Sequence, residues 1–289
     1  MINYFRGLVF KYFYFQLLAS YLYVIFSFFE NKKKIKIYFK DNFWIHETFL
    51  GKFANTHPIR KSEKYLMQEL PFFLKYYNCK EGDIIFDAGA GIGTEVIFFS
   101  KLVGETGKVF ALEANPNVYN HLIKTIEINN IKNVIPINLA VFSVSGQKLK
   151  FSSEMSDWLG GKINEKGNIT VNTITFDDLL NKYNISRIDF AKFNIEGAEK
   201  FLLSGDKNFI SKCENVCISC HDFLEDSSSN TFNDINKLLE KKSFYCLEGN
   251  QSLLNIQKDK KYYVYGTKDE EYLKINKNNL FKDNYDFYL

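Results

Sequence analysis

The stretch Asp87-Ala88-Gly89-Ala90-Gly91-Ile92-Gly93, directly after the apolar run Ile84-Ile85-Phe86, constrains this chain more than any other. An acidic residue and three alternating glycines mark a strand-to-helix turn. There the backbone bends sharply and approaches a ligand closely, which a Cβ would obstruct. The helix that follows aims its free N–H groups and the positive end of its dipole at that ligand.

Strand and helix signals then alternate. The spacing predicts a helix over 93–102, a strand over 108–113 and a helix over 116–129. Pro116 suits the first turn of that helix, and Val118, Leu122 and Ile126 form an apolar stripe. Residues 133–141 read as a strand. Residues 143–175, broken by Gly146, Gly160, Gly161 and Gly167, read as a hairpin or excursion over the sheet's ligand edge. Thr175 is placed to cap a helix that begins Phe176-Asp177-Asp178. Strands over 187–193, 214–220, 243–247 and 262–265 and helices over 197–203 and 231–241 complete the pattern. Such alternation argues for a mostly parallel sheet with helices on both faces, finished by an antiparallel hairpin.

With 289 residues, 46% of them hydrophobic, the chain can bury one substantial core. We assign that core to residues 81–270. Before it stand an apolar and basic segment (1–40) and a lead-in (41–80) expected to be helical, since Tyr65, Leu66, Leu70, Phe73 and Leu74 recur at helical spacing. Residues 271–289 form a tail. From Tyr12 to Phe29 the chain is almost wholly apolar or aromatic and is followed by Lys32-Lys33-Lys34. That length just reaches across a bilayer, and no small-residue cleavage site follows it. A membrane anchor, an interfacial helix and a helix packed on the core domain remain open. The expected location is cytoplasmic, with residues 1–30 as the candidate membrane contact.

Thirty-seven Lys and Arg against 34 Asp and Glu leave a formal charge of +3, too balanced for a nucleic-acid footprint. The five cysteines form an odd set in a chain that needs no staples, which fits a reducing compartment. Cys217-Ile218-Ser219-Cys220-His221 has the spacing of c-type haem attachment. It also reads as a buried strand, and no second ligand pair of zinc-site spacing accompanies it, so no metal ligand is assigned.

Ligands of open α/β sheets lie beyond the carboxyl ends of the strands. Asp87, Gly89, Ala90, Gly91 and Gly93 stand at the first such end. A nicotinamide-binding fingerprint would place its third glycine where this chain has Thr94, so the spacing favours the S-adenosylmethionine form of the turn. Glu113, about twenty residues on, is placed to accept both hydrogen bonds of a ribose diol, with Ala114, Asn138 and Ala140 beside the same ligand. Glu196 and His221 end later strands and are candidate proton acceptors. His221 is the better tuned by its ordinary pKa, and Asp222 stands next to it. Asp157 and Trp158, in the irregular insertion, are candidates for an acceptor contact.

From about residue 83 to 222 the chain resembles the FkbM family of S-adenosylmethionine-dependent methyltransferases. The resemblance is carried by the glycine turn, Phe110-Ala-Leu-Glu-Ala-Asn-Pro116, Asn129-Asn130, Asn172-Thr-Ile-Thr-Phe-Asp-Asp178, and above all Ile188-Asp-Phe-Ala-Lys-Phe-Asn-Ile-Glu-Gly-Ala-Glu199 followed by Leu203-Ser-Gly205. It implies a Rossmann-like class I methyltransferase fold with a mostly parallel seven-stranded sheet, here with an N-terminal helical extension. It also implies O-methylation of a hydroxyl on a sugar, glycan or related small molecule. The family usually carries Asp where this chain has Asn194. An amide can orient a hydroxyl or lend its oxygen to a divalent cation, but it cannot serve as a general base at neutral pH. The alternative is a protein of the same fold that binds S-adenosylmethionine without catalysis. Oligomeric state is left open.

Overall fold

A computed structural model describes residues 36–59, 69–152, 166–205, 208–221, 231–249 and 263–271, with 18, 21, 22, 25, 62, 66, 162 and 163. Asp157, Trp158 and Asp222, and most of the segments 1–30 and 271–289, lie outside the described residues. Among the described residues no helix is long and apolar enough to cross a membrane.

The central sheet has seven strands: β4 (Ile84–Ala88), β5 (Lys108–Leu112), β6 (Val134–Ile137), β11 (Ile188–Phe193), β12 (Cys213–Ser219), β13 (Tyr245–Gly249) and β14 (Tyr263–Thr267). They lie in the order β13-β14-β12-β11-β4-β5-β6. Every pair from β12 to β6 is parallel, and β14 alone runs against its two neighbours. This is the expected seven-stranded Rossmann-like sheet, with its closing hairpin inserted so that β14 pairs with β12.

Side chains alternate across these strands and build a core on each face. Phe86, Phe110, Ala191 and Phe193 point to one core, where they meet α4 (Phe176–Tyr183), α5 (Lys200–Gly205) and α6 (Phe232–Lys241). Ile85, Val109 and Phe190 point to the other, against α1 (Leu70–Phe73), α2 (Thr94–Val103) and α3 (Pro116–Ile128). Capping follows the sequence: the Thr175 hydroxyl accepts from the Asp178 N–H at 3.1 Å, and the Asn115 side chain accepts from the Asn117 N–H at 3.0 Å ahead of Pro116. The cysteines are free thiols, and Cys217 and Cys220 lie in the cores on opposite faces of the sheet, so they do not converge on one ion.

Residues 140–174 form a second, four-stranded sheet in the order β7-β10-β8-β9, with β7 (Ala140–Val141), β8 (Lys148–Ser152), β9 (Lys162–Ile163) and β10 (Ile169–Ile174). The expected hairpin is the antiparallel β8–β10 pair.

The helical lead-in needs correction. Residues 36–55 are an antiparallel meander of β1 (Lys36–Lys40), β2 (Phe43–Glu47) and β3 (Lys52–Asn55). Asp41 and Asn42 both adopt positive φ, at 51° and 65°, and so make the two-residue turn that matches strand twist. Ala54 N–H donates to the Thr125 hydroxyl at 3.1 Å, which seats the meander on α3. Of the helical spacing read around Tyr65 to Leu74, Ser62 and Leu66 are helical and α1 is the described continuous part.

Candidate functional site

The carboxyl ends of β4, β5 and β11 place the glycine turn, Glu113 and Asn194 along one sheet edge. Gly89 adopts φ +81°, and a Cβ there would overlap the backbone carbonyl of Asn194. Gly93 caps α2 at φ +91°, and a Cβ there would meet Leu122 Cδ1 at 2.8 Å. These glycines let the turn lie flat against its neighbours. The N–H groups of Gly89 and Ala90 both donate to the Leu112 carbonyl at 2.9 Å, so β5 fixes the turn.

Glu113 joins the turn to the next strand end. One carboxylate oxygen accepts from the Gly91 N–H at 3.1 Å and the other from the Asn115 N–H at 2.8 Å. Burial pushes its carboxyl up to about 7, against the pull of those two donors. Each oxygen keeps a lone pair, so a vicinal diol can be accepted there. The Asn138 side chain donates to the Glu113 and Ala114 carbonyls at 2.8 and 3.1 Å, and Ala140 is buried at the start of β7. Asn138 therefore shapes the loop that carries Glu113.

Deeper in the edge lies an ion pair that strand-end reasoning did not identify. Lys192, 1% exposed on β11, places its ammonium 2.9 Å from Asp87 Oδ1 and donates to the Gly89 carbonyl at 2.8 Å. The same ammonium stands 4.8 Å over the Phe73 ring. Burial alone would lower its pKa, but Asp87 and Glu95 outweigh burial and hold it above the usual lysine value. Asp87 Oδ2 is buried without a hydrogen-bond partner. The visible signal for Lys192 is a lysine flanked by Phe190, Ala191 and Phe193 in the carboxyl half of a central strand, where a buried charge has to be paired.

His221 follows β12 and is 1% exposed. Its Nδ1 stands 2.9 Å from Glu199 Oε1 and its Nε2 3.5 Å from Glu196 Oε2. Glu196 reaches it from a left-handed backbone, φ +53°, and Glu199 Oε1 also accepts from the Ile195 N–H at 3.1 Å. Burial would lower the imidazole pKa, but Glu199 and Glu196 push it up to about 10. The expectation of an ordinary histidine pKa is thus corrected: at neutral pH this ring is an imidazolium held between two carboxylates, with no free lone pair to accept a proton.

Two further acids come from segments read as scaffold. Glu95, in the first turn of α2, is buried and accepts from the Thr94 hydroxyl at 2.7 Å; burial raises its carboxyl. Glu69 precedes α1, and its Oε2 lies 3.4 Å from Asn194 Nδ2. Burial, with help from Glu95, pushes the Glu69 carboxyl up to about 7. The edge thus gathers Glu69, Asp87, Glu95, Glu196 and Glu199 around Lys192 and His221, a negative surplus beside the glycine turn. Among the described residues no group of three or more His, Cys, Asp or Glu side chains is arranged to hold a metal ion.

A curated relative, hexuronic acid methyltransferase AglP of Haloferax volcanii, is 27% identical over 142 residues, covering 49% of this chain. The chain spans a little over half, 57%, of that relative's length. Solved structures with a likeness in fold include Aeropyrum pernix fibrillarin with natively bound S-adenosyl-L-methionine (TM-score 0.43, 12% identity, covering 81% of this chain and all of that one). A SAM-dependent methyltransferase from Aquifex aeolicus gives a TM-score of 0.40 at 15% identity, covering 74% of this chain and all of that one. The family model described as the methyltransferase FkbM domain matches residues 87–246, more than half of the chain, and takes in the glycine turn, Lys192, Asn194 and His221. The chain belongs to the FkbM methyltransferase family.

Proposed function

We propose that this chain transfers the methyl group of S-adenosylmethionine to an oxygen of a sugar-type small molecule or glycan. The negative surplus around the glycine turn carries the reading. A sulfonium bearing an ammonium group is attracted to such an edge, whereas the pyrophosphate of a dinucleotide is repelled. The residues present fit that donor: Glu113 for the ribose diol, the first N–H groups of α2 for its polar tail, and the acids near Asp87 for its positive charge. When bound, the donor supplies an electrophilic methyl group. The protein's own residues align the acceptor oxygen, exclude water and receive the proton that the oxygen sheds.

The sugar class is supported by the hexuronic acid named for the curated relative. Isothermal titration with S-adenosylmethionine and with NAD tests the donor, and transfer of labelled methyl to a panel of uronic acid glycosides, neutral hexose glycosides and non-sugar alcohols tests the acceptor. Binding of S-adenosylmethionine alone, with label in an alkali-stable methyl ether, is expected. NAD binding without S-adenosylmethionine binding overturns the reading of the donor, and label confined to non-sugar acceptors overturns that of the acceptor.

A further inference from the structure

We infer that Glu69, outside the segment matched to the family, is the proton acceptor for the hydroxyl that becomes methylated. This rests on the proposed function above.

The other candidates at the edge are each committed elsewhere. His221 carries its proton between Glu199 and Glu196. Glu199 is fully buried and holds the Ile195 N–H as well. Asp87 is fully buried against Lys192, Glu95 is buried on the Thr94 hydroxyl, and Glu113 is tied to the turn on the ribose side. Asn194 is an amide and has no basic oxygen.

Glu69, partly exposed like Glu196, differs in its partner: its carboxyl meets the Asn194 amide at 3.4 Å, whereas Glu196 faces the His221 ring at 3.5 Å. Its position is built by the chain before the glycine turn. Its carbonyl accepts from the Phe72 and Phe73 N–H groups at 2.9 and 3.2 Å, which starts α1 with Pro71 in the first turn. Phe73 is fully buried beneath the Lys192 ammonium, so α1 is pinned on the site and Glu69 stands at its rim. The charged groups facing Glu69 are Glu95 from α2, Lys192 from β11, Glu196 from the loop after β11 and His221 from beyond β12. Burial, the largest influence, together with these charges pushes its carboxyl up to about 7, where a general base works best.

In the step, a lone pair of the acceptor hydroxyl forms the new C–O bond as the methyl–sulfur bond breaks and its pair stays on the sulfur of the sulfonium donor. The hydroxyl proton passes to the Glu69 carboxylate, and Glu69 returns it to water after product leaves. The charge balances: a cationic donor and a neutral alcohol give a neutral thioether, a neutral ether and one proton.

The test uses Glu69→Gln and Glu69→Asp in the full chain, with a 4-nitrophenyl glucuronide as acceptor probe. Glu69→Gln is expected to lower kcat at least 100-fold with S-adenosylmethionine affinity within threefold, and to remove the acidic limb of the rate profile near pH 7. Glu69→Asp is expected to recover part of the rate and the limb. Glu69→Gln with kcat within fivefold, or with the limb intact, overturns the assignment. So does loss of donor affinity without loss of the limb, which makes Glu69 a donor-binding acid, and so does an alkali-labile methyl ester as product, since a carboxylate has no proton to surrender. If the wild type turns over neither this probe nor any glycoside of the panel above, the sugar reading fails by itself. Glu69 is then read by carbon NMR of the donor-loaded protein, where a carboxyl missing from Glu69→Gln and titrating near pH 7 is expected. A Glu69 resonance fully ionised at pH 5 overturns the assignment.

Discussion

The two halves of the ligand edge are built on different principles. The half formed by the glycine turn and Glu113 is mostly backbone: positive φ at Gly89 and Gly93, N–H groups on the Leu112 carbonyl, and one carboxylate stapled to two more N–H groups. The half formed by Glu69, Lys192, Asn194, Glu196, Glu199 and His221 is mostly side-chain charge, delivered by segments up to about 150 residues apart. A backbone half tolerates little geometric change but little depends on pH. A charged half tolerates shape changes better and answers to every proton.

The largest effect is expected where the halves touch. In Gly89→Ala the new methyl overlaps the Asn194 carbonyl on a left-handed backbone, so turn and strand end have to separate. Strain and overlap together should cost about 4 kcal/mol or more, above the usual range for one substitution. Thermal unfolding and S-adenosylmethionine titration should both register it. A variant with wild-type melting and affinity would show that the halves are not in contact in solution.

Next is the ion pair that both halves share. Lys192→Met leaves the Asp87 carboxylate buried and uncompensated, and a loss of about 3–5 kcal/mol is expected. Adding Asp87→Asn should return much of it, because the buried charge then goes too. If the double variant is no more stable than Lys192→Met, the pair is not the source of the loss.

The charged half should then reveal itself by pH. The His221 pKa stands at about 10, above its ordinary 6.5, so its contribution to stability is complete below pH 6.5 and is lost as pH rises towards 10. A loss on the order of 2–4 kcal/mol across that window is expected. Urea unfolding of wild type and His221→Gln at pH 6.5, 8 and 9.5 should show a converging pair of curves; parallel curves would mean that the ring is neutral.

The contrast also explains what could be read from the chain alone. The backbone half is local, since Asp87 to Gly93 and Glu113 lie within one β-α-β unit, and glycine spacing reports directly on φ. The mostly parallel sheet with its antiparallel end followed from the same alternation. The charged half is tertiary. Glu196 and His221 could be placed at strand ends, but the charge of His221 depends on Glu199, whose approach is set by the left-handed turn at Glu196. Lys192 sat in plain view between Ala191 and Phe193 of a central strand. Glu69 lay in a segment read as a helical lead-in, whose strands 36–55 were hidden because an Asp41-Asn42 turn is a weaker hairpin signal than Asn-Gly.

Glu113 is where the backbone half acquires a pH response. A ribose diol donates to an ionised carboxylate, and this carboxyl has been raised to about 7, so S-adenosylmethionine affinity should fall as pH drops below 7, by at most about tenfold per unit. Glu113→Gln should flatten that dependence and weaken binding by about 1–3 kcal/mol at pH 8. Retention of the wild-type dependence in Glu113→Gln would move the titrating group to the charged half.

The smallest effect separates shaping from contact within the backbone half. Asn138→Ala removes two hydrogen bonds to the Glu113 and Ala114 carbonyls, and a loss of about 1 kcal/mol in stability with a less than tenfold fall in affinity is expected. Asn138→Asp should do worse than Ala, because a carboxylate would face two carbonyl oxygens and stand near the Glu113 carboxyl. That order follows only if Asn138 works as a donor to the loop. If instead it accepts a hydrogen bond from the adenine amino group of the methyl donor, Asp preserves the acceptor and Ala becomes the weaker binder, so the ranking of the two variants in one titration decides which role it has.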